Sequence, residues 1–114
     1  MSTARAQTYL WLAQRGSAAV LALSVVVHLA TMIIAVRGGL SAAEILERTR
    51  GSAAWALFYG MFVIAVAVHA PIGLRAIFAE WAGLRGRAVD FTLALFALAL
   101  LASGLRAVYA VTRA

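Results

Sequence analysis

Apolar residues occur along this chain in three long blocks that are separated by short polar segments. The blocks cover about residues 17–36, 53–80 and 88–110. A helix rises about 1.5 Å per residue, so each block is long enough to cross a hydrocarbon core of about 30 Å. The apolar positions are nearly continuous within each block, rather than confined to one stripe, which indicates lipid as the surrounding solvent. The pattern therefore predicts three transmembrane helices.

The polar segment between the first two blocks contains its own helix signal. Ser41 followed by Glu44 has the spacing of a capping box, which predicts a short interfacial helix at about residues 42–49. The predicted fold is all-α, with residues 1–114 forming a single transmembrane domain. We expect this domain to be part of a larger helix bundle.

Composition agrees with a membrane protein and excludes several other classes. Hydrophobic residues make up 65% of the chain and charged residues 12%, whereas about a quarter of a soluble domain is normally charged. The ten basic residues are all arginines near the block edges, where they suit lipid headgroups rather than nucleic acid. They divide evenly between the two predicted membrane sides, so charge gives no orientation. The only carboxylates in the apolar blocks, Glu80 and Asp90, lie at block ends, so the chain lacks the deeply embedded carboxylate that a proton-coupled exporter needs. The absence of cysteine excludes thiolate metal sites.

Two histidines lie within the apolar blocks, His28 and His69. A membrane histidine commonly bonds to a neighbouring helix, and haem ligation is the alternative role. Ala65 and Gly73 lie one helical turn before and after His69, and their small size would leave room for a flat porphyrin. Arg75 follows about 9 Å nearer the membrane edge, where a guanidinium suits a haem propionate. This arrangement indicates a socket for a b-type haem.

Two motifs carry a resemblance to a known family. Residues 69–75 read His-Ala-Pro-Ile-Gly-Leu-Arg and are followed by Glu80. They resemble the His-x-x-x-Gly-x-Arg…Asp pattern of the succinate dehydrogenase/fumarate reductase cytochrome b subunit, a membrane anchor of respiratory complex II. Residues 14–18, Gln-Arg-Gly-Ser-Ala, are similar to the His-Arg-x-Ser-Gly entry to that family's first helix. The chain departs from the family at Gln14, which replaces a histidine, and at Glu80, which replaces an aspartate.

The resemblance implies a set of site residues. His69 is expected to be an axial ligand of haem b, with Arg75 and Arg15 near the cofactor. Arg15 and Ser17, together with Trp11, are expected near the quinone headgroup.

His28 is the candidate ligand of a second haem iron. It lies thirteen residues after Arg15, about 20 Å along the helix, whereas His69 is only about 9 Å from Arg75. The two histidines are therefore expected at different depths and would not share one haem. One haem at His69 and two haems shared with a partner chain both remain open.

The resemblance also implies a function. The chain would be the membrane anchor of a succinate:quinone oxidoreductase or fumarate reductase, passing electrons between the iron–sulfur subunit and quinone. It would not act on succinate by itself. The expected partners are the flavoprotein and iron–sulfur subunits, a second membrane-anchor chain or another copy of this chain, and the lipid bilayer. The expected location is the bacterial inner (cytoplasmic) membrane, with the N-terminus in the cytoplasm. The alternatives are a haem-b anchor of another respiratory oxidoreductase and a haem-free scaffold subunit.

Overall fold

The computed structural model describes residues 3–113, which form four helices. They are α1 (Ala4–Gly38), α2 (Ala42–Thr49), α3 (Ala53–Trp81) and α4 (Arg87–Thr112). Helices α1, α3 and α4 are each long and apolar enough to cross a membrane. The prediction of an all-α fold with three membrane-spanning helices and one short helix is confirmed.

Helix α1 begins well before the first apolar block. The sequence predicted a membrane span from residue 17, but the helix extends back to Ala4, where the Thr3 hydroxyl accepts a hydrogen bond from the Ala6 backbone N–H at 3.1 Å. The preceding stretch is rich in alanine, leucine, glutamine and arginine, which are good helix formers. The resulting helix has 35 residues and is about 52 Å long. Because this exceeds the thickness of a hydrocarbon core, its first turns can extend beyond the membrane interior.

Helix α2 has the predicted bounds, with Ser41 as its N-cap. It is attached to the C-terminal end of α4 by two hydrogen bonds. The Thr49 hydroxyl donates to the Val111 carbonyl, and the Gly51 backbone N–H donates to the Thr112 carbonyl at 2.6 Å. These bonds satisfy two of the carbonyl groups that the last turn of a helix leaves unpaired.

Helix α3 lies in the middle of the arrangement. It packs along both α1 and α4, whereas α1 and α4 contact each other at most marginally. The helix continues without interruption through Pro71, which is buried. The three long helices therefore form an open layer, with α3 in the middle, rather than a closed bundle.

Few large side chains are buried between these helices. Most of the large apolar residues are exposed, as expected for a chain surrounded by lipid or by partner helices. Lipid tails are as apolar as leucine, so helices in a membrane associate chiefly through close contact of small residues and through polar groups. Apart from Leu93 and Pro71, the buried side chains of the described residues fit this rule: they are Ala35, Ala65, Ser17, Ser24, Thr49 and Thr112.

The closest approach of α3 and α4 occurs at Gly104. A Cβ atom added there would lie 2.5 Å from Cγ1 of Val63. Real Cβ atoms do not approach another carbon so closely, so a side chain at position 104 requires Val63 or the helices themselves to shift.

Replacement of Gly104 by alanine should therefore weaken the α3–α4 contact. Overpacking of this kind costs about 1–3 kcal/mol of the free energy of unfolding. Unfolding of the detergent-solubilised chain by increasing denaturant measures this loss. The double variant Gly104→Ala/Val63→Ala should recover most of it.

Gly60→Ala is the matched control, because no atom lies within 4 Å of an added Cβ at that helical glycine. It should leave stability unchanged or raise it slightly, since alanine favours helix more than glycine does. Equal stability of the Gly104→Ala and Gly60→Ala variants would contradict the proposed close contact.

Candidate functional site

The two motifs singled out in the sequence meet at the contact between α1 and α3. The hydroxyl oxygen of Ser17 lies 3.4 Å from Nδ1 of His69. Ser17 is buried, with 8% of its surface exposed, whereas His69 is half-buried. A group outside the chain can therefore reach the imidazole, while its Nδ1 faces the buried Ser17.

One turn away, Gln14 packs against Gly73. A Cβ atom at position 73 would lie 3.3 Å from Nε2 of Gln14. The sequence pattern predicted that Gly73 leaves room for a porphyrin, but this glycine faces the side chain of Gln14 instead. Oε1 of Gln14 is buried and has no hydrogen-bond partner among residues 3–113. The absence of a side chain at Gly73 thus allows α1 to approach α3 closely.

Arg75 forms an ion pair with Asp90, the acidic residue in the first turn of α4. Nε of Arg75 and Oδ1 of Asp90 are 2.8 Å apart, and the two side chains are 42% and 50% exposed. A pair this exposed contributes only about 0–1 kcal/mol to stability. Glu80, which occupies the position of the family's aspartate, is exposed on α3. The pairing of Asp90 with Arg75 could not be predicted from the sequence, because it depends on the packing of α3 against α4.

Arg15 and Trp11 lie together on a different face of α1. The guanidinium carbon of Arg15 is 5.3 Å from the centre of the Trp11 ring, within the range of a cation–π interaction. Both residues are exposed. Ser17 is two positions after Arg15, which corresponds to about 200° around a helix. The residues that the sequence grouped near a quinone are therefore divided between the interior contact at Ser17 and an outer surface.

His28 lies deeper along α1, between two aromatic rings of α3. Its ring is edge-on to Tyr59, at 6.0 Å between centroids, and to Phe62, at 5.8 Å. His28 is eleven positions after Ser17, about 16 Å along α1. Because Ser17 contacts His69, the two histidines differ by about 16 Å in their position along the helix axes. This separation agrees with the expectation that the two histidines lie at different depths.

The polar environment of His28 differs from that of His69. Its Nδ1 is buried and has no hydrogen-bond partner in the described part of the chain. The nearby hydroxyl of Thr31 donates to the backbone carbonyl of His28, at 2.7 Å, and not to the ring. The ring of His28 thus has no hydrogen bond from Thr31, the hydroxyl one turn after it on α1.

A cavity of about 480 Å³ lies beside His28, between the flanking helices α1 and α4. Its lining is almost entirely apolar and includes Val63 and Val66 of α3 and Leu100 of α4. The cavity extends from Val66, one turn of α3 before His69, to Val111 near the end of α4. His28 thus lines a mostly apolar space together with a few hydroxyl-bearing side chains, those of Thr49, Tyr59 and Ser103.

Comparison with known proteins extends the motif resemblance to nearly the whole chain. The family model described as succinate dehydrogenase/fumarate reductase transmembrane subunit matches residues 1–106. The match includes all of α1, α2 and α3 and most of α4. No curated protein and no solved structure matches the chain. This multi-pass membrane chain therefore belongs to the succinate dehydrogenase/fumarate reductase transmembrane subunit family.

Proposed function

We propose that the chain is the haem b- and quinone-binding membrane anchor of a succinate:quinone oxidoreductase or fumarate reductase. Family membership supports the anchor role. The observation that supports cofactor binding is the contact between Ser17 and His69, which joins the two family motifs at one site. Electron transfer between an iron–sulfur subunit and quinone is the activity to which such an anchor would contribute.

His69 is the residue best suited to hold the haem iron. Its ring is half-buried at the α1–α3 contact, and Nδ1 faces Ser17, which leaves Nε2 as the nitrogen for an iron. Bound there, haem b would supply one-electron redox chemistry. Arg75 lies about 9 Å along α3 toward the membrane border, where its guanidinium can pair with a propionate in place of the exposed Asp90 carboxylate.

A second histidine for the haem iron would have to come from another chain. His28 is the only other histidine in the sequence, and its level is about 16 Å away. The open layer of helices supports the same inference, because it leaves one side of the chain available to a second set of membrane helices. We propose a second anchor chain or another copy of this chain as that partner.

We favour one haem at His69 over two. Metal-ligating histidines almost always have their second ring nitrogen hydrogen-bonded, which fixes the orientation of the ring. His69 has such a neighbour in Ser17, whereas Nδ1 of His28 has none among residues 3–113. A second haem at His28, beside the apolar cavity, remains the alternative that a haem count decides.

Arg15 and Trp11 are proposed to form this chain's part of the quinone site. A guanidinium can donate a hydrogen bond to a quinone oxygen, and an indole offers an apolar face for the ring. Both side chains are exposed on α1 near the end of the apolar block, where neighbouring subunits would complete the pocket. Ser17, the third residue that the sequence assigned to quinone, is less accessible because it is buried against α3.

We propose the remaining partners and the location from membership of the family. We propose that flavoprotein and iron–sulfur subunits dock on the membrane side that holds the N-terminus and the α3–α4 connection, and that this side is cytoplasmic in a bacterial inner membrane. The cavity of about 470 Å³ on this side is lined by Arg75, Arg85 and Arg87 together with Asp90. This lining gives the docking side a net positive character that an acidic partner surface would match.

Replacement of His69 by alanine should abolish the b-type absorption band in a reduced-minus-oxidised spectrum of the purified complex, because the iron loses its ligand from this chain. His28→Ala is the matched control and should leave the haem content per complex unchanged. A complete band in the His69→Ala complex would rule out His69 as the ligand. Loss of half the haem in the His28→Ala complex would establish two haems.

Replacement of Arg15 by glutamine should slow electron delivery to quinone, because the variant lacks the charged donor at the headgroup. We expect quinone reduction by succinate to fall about tenfold, the effect of losing about 1.4 kcal/mol of binding or transition-state interaction. Succinate oxidation with a soluble artificial acceptor should not change. Arg37→Gln, at the opposite end of α1, is the control and should behave as the unmodified complex. Unchanged quinone kinetics in Arg15→Gln would contradict the assignment.

A further inference from the structure

Ser17 makes two contacts that together define what its hydroxyl group does. The oxygen lies 3.1 Å from the backbone carbonyl of Gln14, one turn earlier in α1, and 3.4 Å from Nδ1 of His69. A serine hydroxyl has one proton to donate and lone pairs to accept. A carbonyl oxygen can only accept, so the Ser17 proton is directed to Gln14.

The shorter contact favours one direction for the hydrogen bond to the histidine. With the Ser17 proton donated to Gln14, the hydroxyl oxygen accepts from His69, and Nδ1 is the protonated nitrogen of the neutral ring. Nε2 then carries the free lone pair that can bind iron. In the opposite tautomer Nε2 is protonated and cannot bind iron, and the Ser17 proton would turn from Gln14 to Nδ1.

Burial strengthens the hydrogen bond between Ser17 and His69. Ser17 is 8% exposed, so water has little access to compete for the imidazole N–H. The close packing of Gln14 on Gly73, one turn away, brings α1 near enough to α3 for the short serine side chain to reach the ring. A buried polar contact between two helices is also favoured in a membrane, where unpaired groups have no water to bind.

We propose that Ser17 is a positioning residue that holds His69 in the Nδ1–H form and presents Nε2 to the haem iron. This rests on the proposed function, since it needs His69 to be the haem ligand, and it replaces the quinone role that the sequence assigned to Ser17. Hydrogen bonding from Nδ1–H increases electron donation by the imidazole and so stabilises the oxidised iron. Ser17 therefore lowers the midpoint potential of the haem.

The test is a redox titration of the haem in the purified complex, followed by its absorption band. Ser17→Ala should retain the haem and shift its midpoint potential to a more positive value, because the acceptor is removed. Ser17→Thr keeps a hydroxyl and should restore the potential of the unmodified complex. Ser24→Ala removes another buried serine of α1 and is the matched control, with no expected shift. The KM for quinone should stay the same in Ser17→Ala.

Each result has a defined meaning. Loss of haem in Ser17→Ala but not in Ser17→Thr would also support the positioning role, whereas loss in both would show that the hydroxyl group is not what retains the haem and would overturn it. An unshifted potential in Ser17→Ala, or a raised KM for quinone with an unshifted potential, would also overturn it. A b-type band that is absent from the unmodified complex, or that survives His69→Ala, is a failure of the proposed function itself and is recognised separately.

Discussion

The hydrocarbon interior of the membrane is the constraint on which the rest of this structure depends. It has no water to bond to backbone groups, so the spanning segments must be helices. It also removes the advantage of burying large apolar side chains, which are as well accommodated by lipid as by protein. What remains for the contacts between helices is small residues, such as Ala65 and Gly104, and polar groups that need a partner, such as Ser17. The candidate site lies in such a contact.

The same constraint explains why the chain presents an incomplete site. Helix α3 packs on both of its neighbours, but α1 and α4 scarcely meet, which leaves an open layer with a cavity beside His28. His69 contacts Ser17 through Nδ1 and is half-buried. Arg15 and Trp11 point outward at the same end of the molecule. These features fit a subunit whose haem ligation and quinone pocket are completed by other chains.

The sequence was sufficient for the features that depend on local pattern. Continuous apolar blocks gave the three long helices, and Ser41 gave the start of α2. The predicted start of α1, at about residue 17, was wrong. Hydropathy marks where the lipid begins, whereas helix propensity and the Thr3 cap decide where the helix begins. The pairing of Arg75 with Asp90, and the contact of Gly73 with Gln14, could not be predicted because they depend on how the helices pack. The motif comparison singled out His69 and Ser17 separately, and the antiparallel packing of α1 on α3 revealed their contact.

A cryo-electron microscopy map of the purified complex would test the central claim most directly, namely that His69 holds a haem at the contact between α1 and α3. The account predicts planar density with its metal bound to Nε2 of His69, and a ligand from another chain on the opposite face. Density in which the three long helices are ordered but the His69 ring faces only lipid or protein, with no macrocycle beside it, would contradict the account.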